Sequence, residues 1–592
     1  MASRHRSPKR YTTSTLDQFA KNIAAGRIGT WAAGYQRFPD SDVYMLVGTN
    51  PPLSMQGITG FPIHDGLRRV DEARANGTKV IVVDPRRTEA AAHADLHVPI
   101  APGSDASFFA GVINVVLSEG LYDREFCERW VNGVDELRES VMWATPEVIG
   151  RHCDIDADLV VQTARMFGSA RRGPARSGTG PDMGPHANAA EHLIVALNVI
   201  CGRYAREGDV PTATGVLGGP ANAVAMAMPP TRFWEKSYRM RNGAMGLGGE
   251  LPAQAMIDDI LAPGEQGKLR ALVVCGANPA AAYPDQRRIV EALQGLELLV
   301  TLDPLWSETA KLAHYVVAPA LGLERWDDTR GYEGYMFEPF AQVSGPVLDP
   351  PPGVIEDWHF YWDLAHAMGL TLQIGKRSYP PGTPRPPTLD MIEDFAQKGF
   401  VPHAEVREHP HGKVFAVEPD RVRAAPDDAN GRFELWVDDA AGDCRAAWQA
   451  IGARAEAPDT EFPTQLIVRR NRDAMNTMGR RLPGAKPYNP LFVHPDDLAA
   501  LGVKAGSLVR MRSRFGATEA VVQPDATMRP GSASMTHCYG GLPGDDDDPW
   551  RYGTNPNRLL SIDENLQTIS LMPQMTAVPI RIEAIEAPSE RP

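Results

Sequence analysis

Cysteine is scarce and scattered in this 592-residue chain: Cys127, Cys153, Cys201, Cys275, Cys444 and Cys538 are all there are. No two form a CxxC pair, which excludes a sequence-local zinc or iron–sulfur site. Six thiols in so long a chain make no disulfide scaffold, so a reducing cytoplasm is the expected compartment. Long apolar runs are lacking as well. The densest, 108–117 and 193–201, are far too short to cross a bilayer, so no direct membrane insertion is expected. Basic charge is in deficit, with Lys+Arg 60 against Asp+Glu 74 and a net charge of −14, which argues against a nucleic-acid partner. The basic start Met1–Arg10 leads into no apolar stretch and is not a secretory signal as it stands. P-loop, HExxH and strand-borne GxSxG patterns are absent, and Gly178-Thr-Gly180 lacks the third glycine of a dinucleotide fingerprint, since Met183 stands there.

What is present is an ordinary globular composition, 43% hydrophobic and 23% charged, in a length that suits about four domains. Val43-Tyr-Met-Leu-Val47 stops at Gly48 and reads as a buried parallel strand. A helical segment over Gly66–Ala75 and a second apolar run, Lys79–Val83, complete a βαβ unit ending at Asp84-Pro85. Ser104 and Asp105 are placed to cap an apolar helix closed by Gly120, and residues 186–203 read as another.

The unit then recurs. Ala271-Leu-Val-Val-Cys-Gly-Ala-Asn-Pro279 repeats Val43-Tyr-Met-Leu-Val-Gly-Thr-Asn-Pro51, and Leu298-Leu-Val-Thr-Leu-Asp-Pro304 repeats Val80-Ile-Val-Val-Asp-Pro85. Glu89 and Glu308 each follow their aspartate by five residues. Further on, two proline-rich stretches, at 349–352 and 379–387, read as surface connections. From Thr464 the alternation of Leu508–Ser513, a turn at Phe515-Gly516 and the return Glu519–Val522 make a hairpin within an expected β-barrel. The run Asp545–Asp548 reads as a solvated loop.

Ligands of open α/β sheets sit beyond the carboxyl ends of the strands. There each copy carries Gly-x-Asn-Pro, Gly48 with Asn50 and Gly276 with Asn278, where backbone amides can approach a diphosphate. Each second strand ends in an aspartate, Asp84 or Asp303. A carboxylate there can accept paired hydrogen bonds from a ribose diol or from the N1–H and 2-amino group of guanine.

These residues carry a family likeness. Leu46-Val-Gly-Thr-Asn-Pro51, Val82-Val-Asp-Pro-Arg-Arg-Thr-Glu89 with Ala94-Asp95, Ala101–Asp105, Cys275–Pro279, Asp303–Ala310 and, downstream, His494–Asp497, Gly502–Gly506 and Ser513–Gly516 resemble the molybdopterin oxidoreductases of the dimethyl sulfoxide reductase superfamily. The resemblance implies an α/β fold with two pseudo-symmetric βαβ nucleotide-binding halves plus a C-terminal β-barrel. In domains, 1–40 is a remnant of an N-terminal region, 41–262 the first half, 263–400 the second, 401–462 an insertion or connection, and 463–592 the dinucleotide-binding barrel. It also implies a molybdenum-dependent oxidoreductase acting on a small-molecule substrate by two-electron chemistry or oxo transfer. The cofactor is bis(molybdopterin guanine dinucleotide) holding Mo, with W as the alternative. Asp84 and Asp303 would meet the guanosines. Gly48, Asn50, Gly276 and Asn278 would border the diphosphates. Arg86, Thr88, Gly103, Asp105 and Ser307 would complete the pockets. Gly180 and Met183 lie in the loop that faces the metal, with Asp182 and His186 as its titratable groups. His186 is read as a proton shuttle or, equally, as an exposed helix-start histidine. Asn476, Thr477, His537, Asn555 and Asn557 stand where the family contacts the pterins.

The departures are at the front. The family's CxxC-bearing [4Fe–4S] domain does not precede Val43, so no iron–sulfur cluster is expected in this chain, and a separate iron–sulfur or other electron-transfer subunit is the expected partner. Where the family places its protein ligand to the metal, this chain has Thr13-Ser-Thr-Leu-Asp-Gln-Phe-Ala20. Asp17 is the favoured ligand, as a hard anionic donor, with Ser14 or Thr15 behind it; a plain helix-start carboxylate is the competing reading. Two other readings stand beside the enzyme: a metal-free homologue serving as a subunit of a redox complex, and a gene model whose true start lies upstream.

Overall fold

The computed structural model describes residues 9–54, 61, 64–237, 239–240, 243, 245–264, 267–418, 420–472, 474–480, 482–545 and 548–585. Its elements follow the hydrophobic pattern closely. Helix α1 (Phe19–Ile28) comes first, then β1 (Val43–Val47), α2 (Gly66–Ala75), β2 (Lys79–Val83), β3 (Leu96–Val98), α3 (Asp105–Ser118), β4 (Ala175–Ser177) and α4 (Ala187–Ile200). The four strands form one parallel sheet in the order β3-β2-β1-β4. All five residues of β1 are buried, as a parallel strand covered on both faces requires. Ser104 stands at the start of α3, but its hydroxyl donates to Ala101 O (2.6 Å) and makes no cap bond to the helix.

The second half repeats the plan with β5 (Ala271–Cys275), α5 (Gln286–Gln294), β6 (Leu298–Leu302) and β7 (Tyr315–Val317), parallel in the order β7-β6-β5. The copies differ in cover. The strand β1 is wrapped on both faces, whereas β5 exposes Ala271, Val273 and Cys275 on alternate positions. Among the described residues, no strand pairs with β5 on the side where β4 pairs with β1.

The segments before the first half and after the second are built into the core. Within 1–40, α1 buries Phe19, Ile23 and Ile28, and its Arg27 donates to Asp439 (3.0 Å) and Asp443 (2.7 Å). Those carboxylates belong to α6 (Asp438–Glu456), from the 401–462 segment. Cys444, Ala447, Trp448 and Ile451 of α6 enter the same apolar cluster as α3 and α4, and Trp448 Nε1 donates to Ala106 O (3.1 Å).

The last module closes into a six-stranded barrel from β8 (Thr464–Val468), β9 (Leu491–Val493), β10 (Leu508–Arg512), β11 (Ala517–Pro524), β12 (Ser532–Met535) and β13 (Val578–Ala584), in the order β8-β12-β9-β11-β10-β13. The expected hairpin is β10 with β11, Val509 facing Ala520. Barrel and halves are joined by backbone bonds from Met575 N and Thr576 N to Met183 O (2.9 and 3.0 Å). Of the acidic run, Asp546 and Asp547 lie outside the described residues; Asp545 pairs with Lys311 (3.1 Å).

Candidate functional site

The strand ends of the two halves share one construction. After β2, Asp84 uses Oδ1 to accept from Arg86 N (2.9 Å); after β6, Asp303 Oδ1 accepts from Leu305 N (2.9 Å). Each carboxylate thereby fixes its own turn and keeps Oδ2 without a partner among the described residues. Next, Thr88 and Ser307 cap short helices, their hydroxyls accepting from Ala91 N and Ala310 N (both 3.1 Å). Finally, Glu89 accepts from Asn50 Nδ2 (2.6 Å) and Glu308 from Asn278 Nδ2 (2.7 Å). These clamps tie the glycine turn after the first strand to the helix after the second. They account for the fixed Asp-to-Glu spacing and show which internal bonds several of the expected cofactor residues make. Thr88 and Ser307 are helix caps, and the Asn50 and Asn278 amides are engaged in the clamps. Arg86 is buried and bonded to Glu89 (3.2 Å).

Two cavities lie beyond these ends. The first, about 580 Å³ including its mouth, collects Gly48, Asp84, Gly103, Asp105, Gly180 and Met183, with Ile467 and Val468 of β8 as the opposite wall. Burial pushes the Asp84 and Asp105 carboxyls up to about 6, Arg86 partly opposing this at Asp84. Gly48 is required here: its φ is +53°, and a Cβ would meet Pro181 Cδ at 2.6 Å and Gly180 Cα at 2.8 Å. The Gly178–Pro181 loop thus roofs the first turn.

The second cavity is larger, about 1440 Å³ including its mouth. Asp17, Met183, Gly276, Asn278, Asn476, Thr477, His537 and Asn557 line it, with β8 again forming a wall. Gly276 has φ +61°, and a Cβ there would meet nothing within 4 Å, so this turn presents bare backbone to the space. Burial pushes the His537 imidazole down to about 4, leaving it neutral. With Nε2 facing Asn476 Oδ1 (3.1 Å), its proton is placed on Nε2, and Nδ1 is buried without a partner.

Of the three candidate metal ligands, only Asp17 faces a cavity. Thr15 is buried with its hydroxyl accepting from Ala253 N (2.9 Å), and Ser14 bonds to Glu250. Burial raises the Asp17 carboxyl, partly offset by Lys21.

Other expected residues stand apart. Asp303 lies in a separate groove of about 700 Å³ beside Trp306. Asn555 is buried, its Nδ2 donating to Ala281 O (3.1 Å), and so holds barrel to second half. Asp182 is wholly buried, paired with Lys21 and accepting from Ala20 N (2.8 Å). Lys21 also reaches Glu191 (3.2 Å) and donates to Gly178 O (2.8 Å). Burial drives the Asp182 carboxyl up, and Lys21 opposes it. Its role is to pin α1 to the loop before α4. His186 lines neither cavity; it faces Asp443 and Arg454 of α6, and burial pushes it down to about 4. Neither Asp182 nor His186 is among the residues lining the two cavities. Sequence reasoning missed Thr13, Tyr283 and Arg470 on the larger cavity. Arg470 makes no hydrogen bond or ion pair among the described residues, and no spacing signal marked it.

Comparison with known proteins decides the family. Residues 6–367 match the model of the molybdopterin oxidoreductase family, and 465–579 that of the molydopterin dinucleotide binding domain. The chain belongs to the molybdopterin oxidoreductase family. This oxidoreductase is 26% identical over 582 residues to the F420-dependent formate dehydrogenase subunit alpha of Methanocaldococcus jannaschii, covering 92% of this chain and 77% of that one. It is 23% identical to the acetylene hydratase of Syntrophotalea acetylenica, covering 86% and 72%. Among solved structures, the acetylene hydratase from Pelobacter acetylenicus superposes with a TM-score of 0.68 at 19% identity, over 96% of this chain and 81% of the other, which is a likeness of fold.

The residues fit a molybdopterin dinucleotide. Among the described residues, a bare glycine turn, a guanidinium at Arg470 with no hydrogen bond, a His537 Nδ1 without a partner and two aspartates with a spare oxygen are donors and acceptors of the kind a polar, anionic, guanine-bearing ligand would need.

Proposed function

We propose that this molybdopterin-dependent oxidoreductase binds two molybdopterin guanine dinucleotides, one per half, carrying Mo or W, and performs two-electron oxidation, reduction or oxo transfer on a small substrate. The observation that supports this best is the paired construction: the matching glycine turns at Gly48 and Gly276 open towards cavities that share one barrel wall.

When bound, the cofactor supplies the redox chemistry. The chain's own residues bind and orient it. Asp84 and Asp303 accept from the guanines through Oδ2. The Gly48 and Gly276 turns approach the diphosphates, and Arg470, which lines the larger cavity, offsets the charge of the ligand there. His537 Nδ1, Asn476 and Thr477 meet the pterin that lies in the larger cavity, and Asp17 offers the metal a carboxylate oxygen. Both sites lie between the halves (41–262 and 263–400) and the barrel (463–592). An iron–sulfur or other electron-transfer subunit is the partner that would carry electrons, in keeping with the subunit naming of the methanogen relative. A cytoplasmic setting is part of the same reading; no helix among the described residues is long and apolar enough to cross a membrane.

Metal and pterin analysis of protein purified from a cofactor-making host tests the proposal. About one equivalent of Mo or W with two pterins is expected. Less than about a tenth of an equivalent of both metals would replace it with the metal-free homologue. An Asp84→Ala plus Asp303→Ala variant should lose the cofactor, and retention would refute the guanine contacts.

A further inference from the structure

The two halves complete the same clamp with arginines from different places. In the first half, Glu89 is held by Asn50 and by Arg86, three residues earlier in the same turn. In the second half the position of Arg86 is taken by Leu305. The guanidinium arrives instead from the barrel module: Arg480 donates to Glu308 Oε2 (2.5 Å), on the oxygen that also accepts from Asn278 (2.7 Å). Arg480 further donates to the carbonyls of Cys538 (2.6 Å) and Gly540 (3.3 Å). The pair is buried, with side-chain exposure of 7% for Arg480 and 2% for Glu308.

Arg480 stands two residues beyond a tight turn. Met475 and Met478 exchange backbone bonds (3.1 and 2.9 Å) around Asn476, at φ +52°, and Thr477. Asn476 and Thr477 line the second cavity, while Met475, Met478 and Leu482 of the same loop are exposed by 50 to 65%. Exposed apolar side chains therefore do little to hold this loop down; besides the Asn476–His537 bond, the Arg480–Glu308 pair supplies a buried, charged fixed point.

We propose that Arg480 is a positioning residue, a latch that fastens the Asn476–Thr477 turn over the second cavity by completing the clamp of the second nucleotide turn. Loop closure and the shape of the Gly276–Asn278 turn then form one unit, because both depend on Glu308. In the first half Arg86 closes the clamp locally, and the barrel reaches that turn through a backbone bond, Arg87 N to Thr527 O (2.9 Å), away from the Asn476–Thr477 turn. The latch rests on the cofactor reading only for what the cavity holds.

Hydrogen–deuterium exchange on the full chain as isolated tests it, following peptides over 471–485. In Arg480→Met the Met475 and Met478 amides should exchange at least tenfold faster. Arg480→Lys, which restores charge opposite Glu308, should recover most of that protection. Arg86→Met should leave these peptides unchanged while loosening those around Glu89. If Arg480→Met does not fold, Glu308→Gln serves in its place and should loosen 471–485 without disturbing the first half. Pterin fluorescence after dilution adds a second readout: release should be faster in Arg480→Met than in Arg480→Lys. Unchanged exchange in both Arg480→Met and Glu308→Gln, or equal loosening by Arg86→Met, would overturn the latch. A chain that holds no pterin would fail the cofactor reading while the exchange comparison still decides the latch.

Discussion

Asp84 and Asp105 face the same cavity with carboxyls raised to about 6 by burial, against about 3.9 in an unfolded chain. A raised folded value means the native state binds the proton more readily. The stabilisation is full below about pH 4 and is lost as pH rises through about 6. Thermal melts of cofactor-free protein should therefore show Tm falling across that window, and Asp105→Asn should flatten the fall. Guanine, with two donors, requires the ionised form of Asp84. GDP binding to the first half should be about tenfold weaker at pH 5 than at pH 7, measured by calorimetry, and Asp84→Asn should abolish both binding and its pH dependence. Asp17 can be tested separately: Asp17→Ala should lower the metal-to-pterin ratio, whereas Ser14→Ala should not, since Ser14 is occupied with Glu250.

At the scale of elements, the glycine turns make a matched pair with unequal surroundings. Gly276→Ala places a methyl in open space, so its cost is the left-handed backbone alone, about 1 kcal/mol. Gly48→Ala adds a collision with the Gly178–Pro181 loop and should cost about 2–4 kcal/mol in urea unfolding. The strands around both turns were legible because β1, β2, β5 and β6 are short apolar runs ended by Gly or Asp, and that pattern leaves little alternative. The clamps were half legible. The repeated spacing of Glu89 and Glu308 was visible, but the bonds to Asn50 and Asn278 join residues 39 and 30 positions apart and need the fold. Arg480 was beyond reach, since its partner lies 172 residues away with no shared pattern. The surroundings of Asp182 and His186 were out of reach for a related reason: a polar residue before a central helix looks the same in sequence whether it faces a cavity or, as here, Lys21 and α6.

For the whole molecule, segments far apart in the chain supply the walls of the cavities: the Gly48 and Gly276 turns, the loop at Met183, and β8. Ligand binding should therefore contribute strongly to stability. At a ligand concentration 1,000 times Kd the linkage is about 4 kcal/mol, and cofactor-loaded protein should melt well above the empty form in scanning calorimetry. The largest difference is expected in the barrel, whose ties to the halves include Arg529 to Pro99 O (2.5 Å) and the Met183 backbone bonds. Limited proteolysis of the empty form should accordingly release a fragment starting near the barrel boundary before either half is cut.

Strand β8 has one more consequence. Ile467 and Val468 belong to the walls of both cavities, and so do Thr179 and Met183. A partition common to two chambers registers both guests: a bulkier side chain in it, as in Ile467→Phe, should narrow the two spaces at once and bring the pterin content below two per chain.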